Sequence, residues 1–422
     1  MNTPHLSSPA GRVRLAPSFL AVLDKADGFV NRIKFARVLQ KQSIRLASRS
    51  QTCILDRNPG VGAGAGGCVD LEFSDEQRIF ADALRRFLAA EYGFEHRRAL
   101  VAAGAWGDPA IWAQLGEMGC FGIAVPEELG GFGGNAVQIG LMMRELGRRL
   151  ALEPVRAAVV SGTLLAGARD AQAYLADLVT GAVRFAPVPR ADNDDAALRR
   201  TERTVEGGAA AQKILVPTKD ALLVVDSDAL KVSRVRLLSD AMAADIRFDD
   251  PPAVRLDVGN DWEDMQALAA ARAELARCWE ALGSIEAALE ATTAHVRERR
   301  QFGRPLAAFQ AVQHRIAEMV VAAKEAEVAA LLAALVLDGK GIGPEASRVL
   351  TVATHRIAAS ASVVADGAVQ LHGGMGVSDE LDISAHFRHL QAFRACDGGV
   401  AAYAESVVSC GAHHRSAVLL EA

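Results

Sequence analysis

Apolar residues recur every three or four positions in the first and last parts of the chain, and in short runs between them. The first helix begins at a capping box formed by Ser74 and Gln77. Its apolar stripe consists of Ile79, Ala83, Leu84, Phe87 and Leu88. Further helices are predicted at 109–118, 136–150 and 155–166. The pattern therefore predicts an N-terminal α-helical domain over residues 70–180.

Short apolar runs separated by turn residues characterise residues 181–257. Pro217, Asp220 and Asp226 interrupt the runs, as turn residues do between strands. The runs are Lys213–Val216, Leu222–Val225, Val232–Leu237 and Ile246–Phe248. Their spacing predicts a middle β domain with a small antiparallel sheet or barrel, and residues 190–203 form a polar loop within it.

Long helical patterns return after Trp262. Pro344, which follows Gly343, is placed to start one of these helices, and that helix runs to Leu371. The other helices carry the apolar series that begin at Leu268 and Phe309 and the segments Ile383–Ala395 and Tyr403–Val408. Long helices joined by short turns predict a C-terminal four-helix-type bundle over residues 258–422. The predicted fold class is α+β and multidomain.

Residues 1–69 differ from the rest in composition. Basic residues outnumber acidic ones there, and the segment ends in the glycine-rich stretch Gly60–Gly67. Because little apolar surface is available for burial, we expect disorder or weak helix. Two explanations remain open: an organelle transit peptide, which shares this composition, or a translated leader before a natural start near Val69.

The overall composition narrows the classes of function. Half of the 422 residues are hydrophobic and the net charge is -5, which gives no reason to expect nucleic-acid binding. The 6 cysteines are scattered without metal-ligand spacing, as expected for reduced thiols of an intracellular protein. No apolar run reaches the roughly 18 residues of a membrane span. We therefore expect a cytoplasmic protein without a metal site or membrane contact, with the mitochondrial matrix as the less favoured location.

Two segments carry groups suited to a phosphate-bearing ligand. The first, His295–Pro305, surrounds Phe302 with 4 arginines, which can hold a phosphate while the ring packs on a flat ligand. For this segment alone, a solvated basic helix end is the more common explanation. The second, Gln370–Gly376, is a glycine turn whose amides can approach a pyrophosphate closely. A helix C-cap explains this turn equally well.

A single carboxylate, Asp397, lies between Cys396 and Gly398. In such an apolar, glycine-flanked turn, a carboxylate can act as a base on a weakly acidic C–H bond. An N-cap aspartate for the final helix is the more common explanation without further context.

Together these pieces resemble the acyl-CoA dehydrogenase family of flavoproteins over residues 70–415. The shared motifs are F-S-D-E-Q, the loop A-V-P-E-E-L-G-G-F-G-G followed by R-E-L-G-R-R-L, the stretch R-R-Q-F-G-R-P-L-A-A-F-Q, and Q-L-H-G-G-M-G. Taken alone, the loop is predicted to be a connector. The order of the motifs, with a β domain between two helical domains, is far more specific than any one of them.

The resemblance implies a FAD-dependent α,β-dehydrogenation of an acyl-CoA substrate. A carboxylate base removes the α-proton while the β-hydrogen leaves as hydride to the flavin, which gives a trans-2-enoyl-CoA, and an electron-transfer flavoprotein accepts the electrons. Asp397 occupies the base position, with one methylene less reach than the usual glutamate. The implied FAD contacts are Arg299, Gln301 and Phe302, towards a FAD mostly bound by a neighbouring subunit, and Gln370, Gly373 and Gly374, along its ADP pyrophosphate.

Two positions depart from the family pattern. The alternative base position on the helix before Gly283 is Ala273, and the adjacent Glu274 is turned about 100° round the helix. The segment that embraces the flavin ring in the family reads F-A-P-V-P-R-A-D-N-D-D at residues 185–195 and lacks the usual motif. The bundle thus keeps groups for a partner's FAD, while the β domain has lost those for its own flavin ring.

An economical explanation is one chain of a hetero-oligomeric, α2β2-type acyl-CoA dehydrogenase, with a homo-oligomer as the alternative. Such relatives are associated with bulky acyl-CoA substrates, including steroid side chains. Two roles are open: a catalytic chain acting through Asp397 together with a partner, or a non-catalytic chain that completes the FAD site of a partner dehydrogenase chain. A flavoprotein relative that binds nucleic acid is disfavoured by the acidic balance after residue 70.

Overall fold

The computed structural model describes residues 73–396. The predicted base Asp397, the predicted helix Tyr403–Val408 and the basic segment 1–69 lie outside these described residues. The described chain forms helices, then a small and mostly antiparallel β region, then a helical bundle, which confirms the predicted fold class. None of the helices within residues 73–396 is long and apolar enough to cross a membrane.

Helices are the main regular elements between residue 73 and the first strand. Helix α4 begins at a capping box between Asn135 and Gln138. Asp338, from the bundle, also accepts from the amide of Ala136 at 2.6 Å, which anchors the start of this helix. The helices are α1 (Asp75–Glu91), α2 (Phe94–Ala102), α3 (Pro109–Glu117), α4 (Ala136–Arg149), α5 (Val155–Ala166) and α6 (Gln172–Val179).

The β region contains two sheets, preceded and followed by helices. Its elements are β1 (Phe185–Pro187), α7 (Asp194–Leu198), β2 (Thr201–Glu206), β3 (Lys213–Pro217), β4 (Ala221–Asp226), β5 (Lys231–Arg236), β6 (Met242–Arg247) and β7 (Ala253–Asp257). The sheet orders are β1-β3-β4-β7 and β2-β6-β5. Within these two sheets the pairs are antiparallel except β1–β3, which is parallel. Strand β2 begins inside the predicted polar loop. Only Val205 along this strand is fully buried, so the strand has few apolar residues that would predict it.

The bundle starts with the long helix α8 (Trp262–Glu298). A short hairpin of β8 (Arg300–Gln301) and β9 (Arg304–Pro305) follows, and then α9 (Gln310–Lys340), α10 (Pro344–His372) and α11 (Asp382–Ala395). Pro344 is the first residue of α10, as its sequence position predicted. Helix α9 stops at Gly341, whose φ of 66° is in the left-handed region that favours glycine.

Helices α4 and α8 cross with their backbones almost in contact. A Cβ at Gly283 would lie 1.9 Å from the carbonyl oxygen of Arg144, and one at Gly147 would lie 2.0 Å from that of Glu280. Any side chain at either position would push the two helices apart. The two glycines therefore fix the N-terminal helices against the bundle, and α8 also packs against α5.

Candidate functional site

The β8–β9 hairpin carries two of the predicted cofactor contacts, Gln301 and Phe302, and a third, Arg299, directly precedes it. Gln301 pairs with Arg304, which leaves Phe302 and Gly303 as the turn residues. Both have positive φ, 52° and 80°, as a tight hairpin turn of this length requires. Phe302 is 90% exposed at the tip. The hairpin therefore presents an aromatic ring to solvent on a defined backbone.

The glycine turn follows α10 directly. Gly373 has a φ of 63°, which a residue with a side chain rarely adopts. A Cβ at Gly373 or Gly374 would meet no atom of the described residues within 4 Å, so both backbones face open space. Gly376 differs, because a Cβ there would lie 2.8 Å from the carbonyl oxygen of Val369. Gln370, about one turn before Gly373, is exposed.

The hairpin and the glycine turn lie at the same end of the bundle. The rings of His295, on the last turn of α8, and His372, the last residue of α10, stack with centroids 4.2 Å apart and planes 25° apart. The structure thereby brings together two segments that the sequence predicted separately. We call their exposed groups the bundle-end surface: Arg299, Gln301, Phe302, Gln370, Gly373 and Gly374.

The bundle-end surface combines positive charge with open backbone. The C-terminal ends of α8 and α10 carry the negative ends of two helix dipoles, which disfavour an anion. The arginines between residues 297 and 304 oppose that effect, and the guanidinium of Arg304 lies 4.0 Å from the ring centroid of Phe309. Arginines, an exposed ring and glycine backbone suit a ligand that joins phosphates to a flat ring system.

A second charged cluster lies partly buried where the N-terminal helices, the β region and the bundle meet. Arg156 on α5 donates from Nε to Glu206, at the end of β2, at 2.8 Å, and from Nη1 to Glu280, on α8, at 3.2 Å. Burial raises the pKa of Glu280, and Arg156 opposes that rise. Beside Glu206, a Cβ at Gly207 would lie 2.9 Å from the Cβ of Ala157. We call Arg156, Glu206 and Glu280 the three-domain junction; paired charges and close backbone fill it.

The segment that the resemblance assigns to the flavin ring is folded into the chain's own secondary structure. Its first residues form β1, where Phe185 pairs with Lys213 of β3. Its last residues lead into α7, whose cap Asn193 accepts from the amide of Ala196 at 2.8 Å. The two ends of this segment are thus part of the chain's own sheet and helix.

The alternative base position offers no free carboxylate. Ala273 has none, and the adjacent Glu274 accepts from the hydroxyl of Thr354 at 2.5 Å and from Nε of Arg277 at 3.0 Å. Arg277 in turn lies over the ring of Phe393 on α11, 5.3 Å from its centroid. Both oxygens of Glu274 are therefore held in structural contacts.

Helix α11, which leads towards Asp397, is tied to the β region. Arg388 on this helix donates to Asp240, in the β5–β6 turn, at 2.9 Å. The same carboxylate oxygen accepts from the buried Arg97 of α2 at 3.2 Å. Since Asp397 lies outside the described residues, its role as the base stays a prediction.

Sequence reasoning missed the stacked histidines and the three-domain junction. His295 and His372 stand within one helical turn of predicted cofactor contacts, which is a signal that singles them out. Arg156 and Glu280 are 124 positions apart, and no sequence pattern pairs them. Within residues 73–396, no group of three or more His, Cys, Asp or Glu side chains could hold a metal ion.

Two family models match this chain. "Acyl-CoA dehydrogenase, N-terminal domain" matches residues 74–182, and "Acyl-CoA dehydrogenase, C-terminal domain" matches residues 264–404. The chain belongs to the acyl-CoA dehydrogenase family. Neither match covers the part of this acyl-CoA dehydrogenase chain between them, which contains the altered flavin-ring segment.

Curated relatives carry the same family name. The acyl-CoA dehydrogenase FadE34 of Mycobacterium tuberculosis is 30% identical over 318 residues, which cover 73% of this chain but 42% of FadE34. The chain thus spans less than half the length of that relative. The acyl-CoA dehydrogenase IpdE2 of the same organism is 28% identical over 329 residues, which cover 74% of this chain and 90% of IpdE2.

Solved structures share the fold of this acyl-CoA dehydrogenase chain. A variant of the Tcur3481-Tcur3483 steroid ACAD is 25% identical with a TM-score of 0.72, covering 81% of this chain and 99% of that chain. The ChsE4-ChsE5 complex from Mycobacterium tuberculosis is 22% identical with a TM-score of 0.72, covering 81% of this chain and 98% of that chain. Each of these structures is named for two proteins.

Proposed function

We propose that this chain is one subunit of a hetero-oligomeric acyl-CoA dehydrogenase and that it binds the adenosine diphosphate half of a FAD whose flavin ring lies in a partner subunit. The assembly carries out FAD-dependent α,β-dehydrogenation of an acyl-CoA to a trans-2-enoyl-CoA and passes the electrons to an electron-transfer flavoprotein. The bundle-end surface is the observation that carries this proposal.

Each component of the bundle-end surface matches one part of the adenosine diphosphate group. Arg299 can neutralise the pyrophosphate, and the open backbone at Gly373 and Gly374 allows its close approach. Gln370 can donate from its side-chain amide, and the exposed ring of Phe302 can pack on a flat surface. These groups all face outwards, so a cofactor held here is also within reach of a second chain.

We assign the flavin ring to a partner because residues 185–195, the segment that would surround the ring, lack the family motif in this chain. Residues 185–195 form a strand and lead into a helix of the chain itself. The three-domain junction, beside that strand, is filled by an arginine between two carboxylates. Opening this space would break the partly buried ion pairs of Arg156 with Glu206 and Glu280, which costs stability. The two-protein names of the ChsE4-ChsE5 and Tcur3481-Tcur3483 structures are consistent with a partner of the same family.

In the first arrangement, Asp397 removes the α-proton of the substrate. Bound FAD supplies the acceptor for the hydride that leaves the β-carbon. Because aspartate reaches one methylene less far than glutamate, the backbone after α11 must place it closer to the substrate. Arg388, held by Asp240, fixes the direction of α11 before that segment.

In the second arrangement, the partner supplies the base and this chain is non-catalytic. The filled three-domain junction favours this role, because a base is useful only beside a flavin ring and an acyl chain. In both arrangements we propose a bulky acyl-CoA as the substrate class, with a steroid side chain as one member. The similarity to the steroid ACAD Tcur3481-Tcur3483 supports that choice.

Asp397→Ala in the complex with its partner separates the two arrangements. If Asp397 is the base, turnover falls by about two to four orders of magnitude while flavin absorbance stays unchanged, because general-base catalysis is worth about 10²–10⁴-fold. Asp397→Asn, which keeps the size of the side chain but removes the base, should lose the same turnover and serves as the control. If Asp397→Ala retains turnover in an intact complex, the non-catalytic role is correct.

A further inference from the structure

The hairpin side and the glycine-turn side of the bundle-end surface are connected by the stacked rings of His295 and His372. Their ring centroids are 4.2 Å apart, and the rings are tilted by only 25°. Arg299 follows His295 by one helical turn, and Gly373 follows His372 in the chain. Any change in the offset between the two rings therefore changes the offset between the arginine and the glycine turn.

The His372 ring is held from three sides. Its Nδ1 lies 2.9 Å from the carbonyl oxygen of Ala368, so this nitrogen carries the hydrogen and donates. A Cβ at Gly376 would lie 3.0 Å from the Cβ of His372, so the glycine turn folds back tightly on this residue. His295 covers the third side. His372 is 8% exposed, and it forms a fixed platform for the more exposed ring of His295.

Charged groups on three helices surround the pair. Burial, His372 and Arg299 lower the pKa of His295, and Glu298 on the same helix opposes them. On α11, Asp382 interacts with His372 and with Arg149 of α4. The lowered pKa of His295 favours its neutral form, so the ring that stacks on His372 carries less positive charge.

We propose that His295 and His372 are positioning residues for the cofactor, and that their stacking sets the register of the Arg299–Phe302 hairpin against the Gly373–Gly374 turn. The inference rests on the proposed function, because it names how this chain aligns the two sides of its adenosine diphosphate site. Neither ring is required to touch the cofactor. Their contribution is the fixed distance between the groups that do.

Stacking is a property of flat rings, so it can be separated from the chemistry of histidine. His295→Phe preserves a flat ring on α8, whereas His295→Ala removes it. We expect His295→Ala to raise the dissociation constant of FAD for the complex about tenfold, because misplacement by a fraction of an ångström weakens paired contacts. We expect His295→Phe to stay within about twofold of the wild-type value.

The experiment measures FAD binding to the deflavinated complex of this chain and its partner, for wild type, His295→Ala, His295→Phe and Arg299→Gln. Loss of affinity in His295→Ala and Arg299→Gln, with rescue in His295→Phe, is the expected result. If Arg299→Gln binds weakly but His295→Ala binds like wild type, the positioning inference is wrong and the proposed function stands. If all three variants bind like wild type, the proposed function itself is wrong.

A second readout protects the test if His295→Ala does not fold. In the ¹³C-histidine NMR spectrum of the deflavinated wild-type complex, addition of ADP should raise the pKa of His295, because the pyrophosphate offsets the charge of Arg299. His295→Phe must also bind FAD like wild type. A His295→Phe variant that folds and loses FAD overturns the positioning inference, whereas an unchanged pKa of His295 at saturating ADP contradicts the proposed function on which it rests.

Discussion

The bundle-end surface and the three-domain junction use the same kind of side chain in opposite ways. At the junction, Arg156 is partly buried and is bound by two carboxylates of the same chain. At the bundle end, Arg299 is exposed beside Gly373 and Gly374, whose backbones face open space among the described residues. An arginine already neutralised inside the fold stabilises it, whereas an exposed arginine beside open backbone is available to a ligand. The difference supports the proposal that a ligand binds at the bundle end.

Matched arginine substitutions should show the largest difference. Arg156→Gln removes the ion pairs to Glu206, which is partly exposed, and to Glu280, which is more buried, so we expect a loss of about 2 kcal/mol in the free energy of unfolding. Arg299→Gln should change that free energy by less than about 0.5 kcal/mol, because the side chain is exposed. It should instead reduce the FAD content of the complex.

Urea unfolding of the two variants, with flavin absorbance of their complexes, checks this contrast. A second substitution, Glu280→Gln on top of Arg156→Gln, should recover part of the lost stability, since it removes one of the unpaired charges. Equal stability of the Arg156→Gln and Arg299→Gln chains would contradict the distinction between the two regions.

Glu153 is a buried carboxylate with no salt bridge among the described residues, so it can be compared with the carboxylates that Arg156 pairs with. Glu153 is 6% exposed and accepts from the amide of Asp108 at 2.8 Å. Burial raises its pKa to about 7, so folding favours the protonated form. The free energy of unfolding should therefore fall as the pH rises from about 4.5 to about 7, by at most about 3 kcal/mol.

Glu153→Gln should remove this pH dependence. The variant should be more stable than wild type at pH 8 by about 2 kcal/mol and nearly equal to it at pH 4.5, because glutamine stays neutral throughout. Unfolding in urea at the two pH values measures the difference. Parallel pH profiles for the two proteins would show that Glu153 is not neutral in the folded chain.

Alanine substitutions at Gly374 and Gly376 should show the smallest of these differences in stability and FAD binding. Gly376→Ala places a Cβ 2.8 Å from the carbonyl oxygen of Val369, which should cost about 1–3 kcal/mol of stability. Gly374→Ala meets no atom of the described residues within 4 Å and should cost less than about 0.5 kcal/mol. Only Gly374→Ala should weaken FAD binding without loss of stability. Thermal unfolding and flavin titration of both variants test the pair, and equal FAD affinity for Gly374→Ala and wild type would argue against contact at this glycine.

Local sequence patterns were sufficient for most helices and several strands, but not for the edge of the β region. The start of α10 followed from Pro344, and the runs at β3 and β4 are apolar because both faces of those strands are buried. Strand β2 was missed because it lies at a sheet edge and exposes most of its residues.

The candidate site was predictable in its parts but not in its assembly. The hairpin and the glycine turn each have a local signature of arginine, aromatic and glycine residues. The two segments lie close together only because α8 and α10 end at the same end of the bundle. The stack of His295 on His372 shows this proximity. The three-domain junction depends on contacts between three distant segments, so no local pattern could reveal it.

The flavin content of this chain, purified alone and purified with its partner, tests the central claim most directly. The account predicts almost no FAD on the chain alone and one FAD for each pair of unlike chains in the complex, lost in Arg299→Gln. One FAD per chain in the protein purified alone, retained in Arg299→Gln, would contradict it.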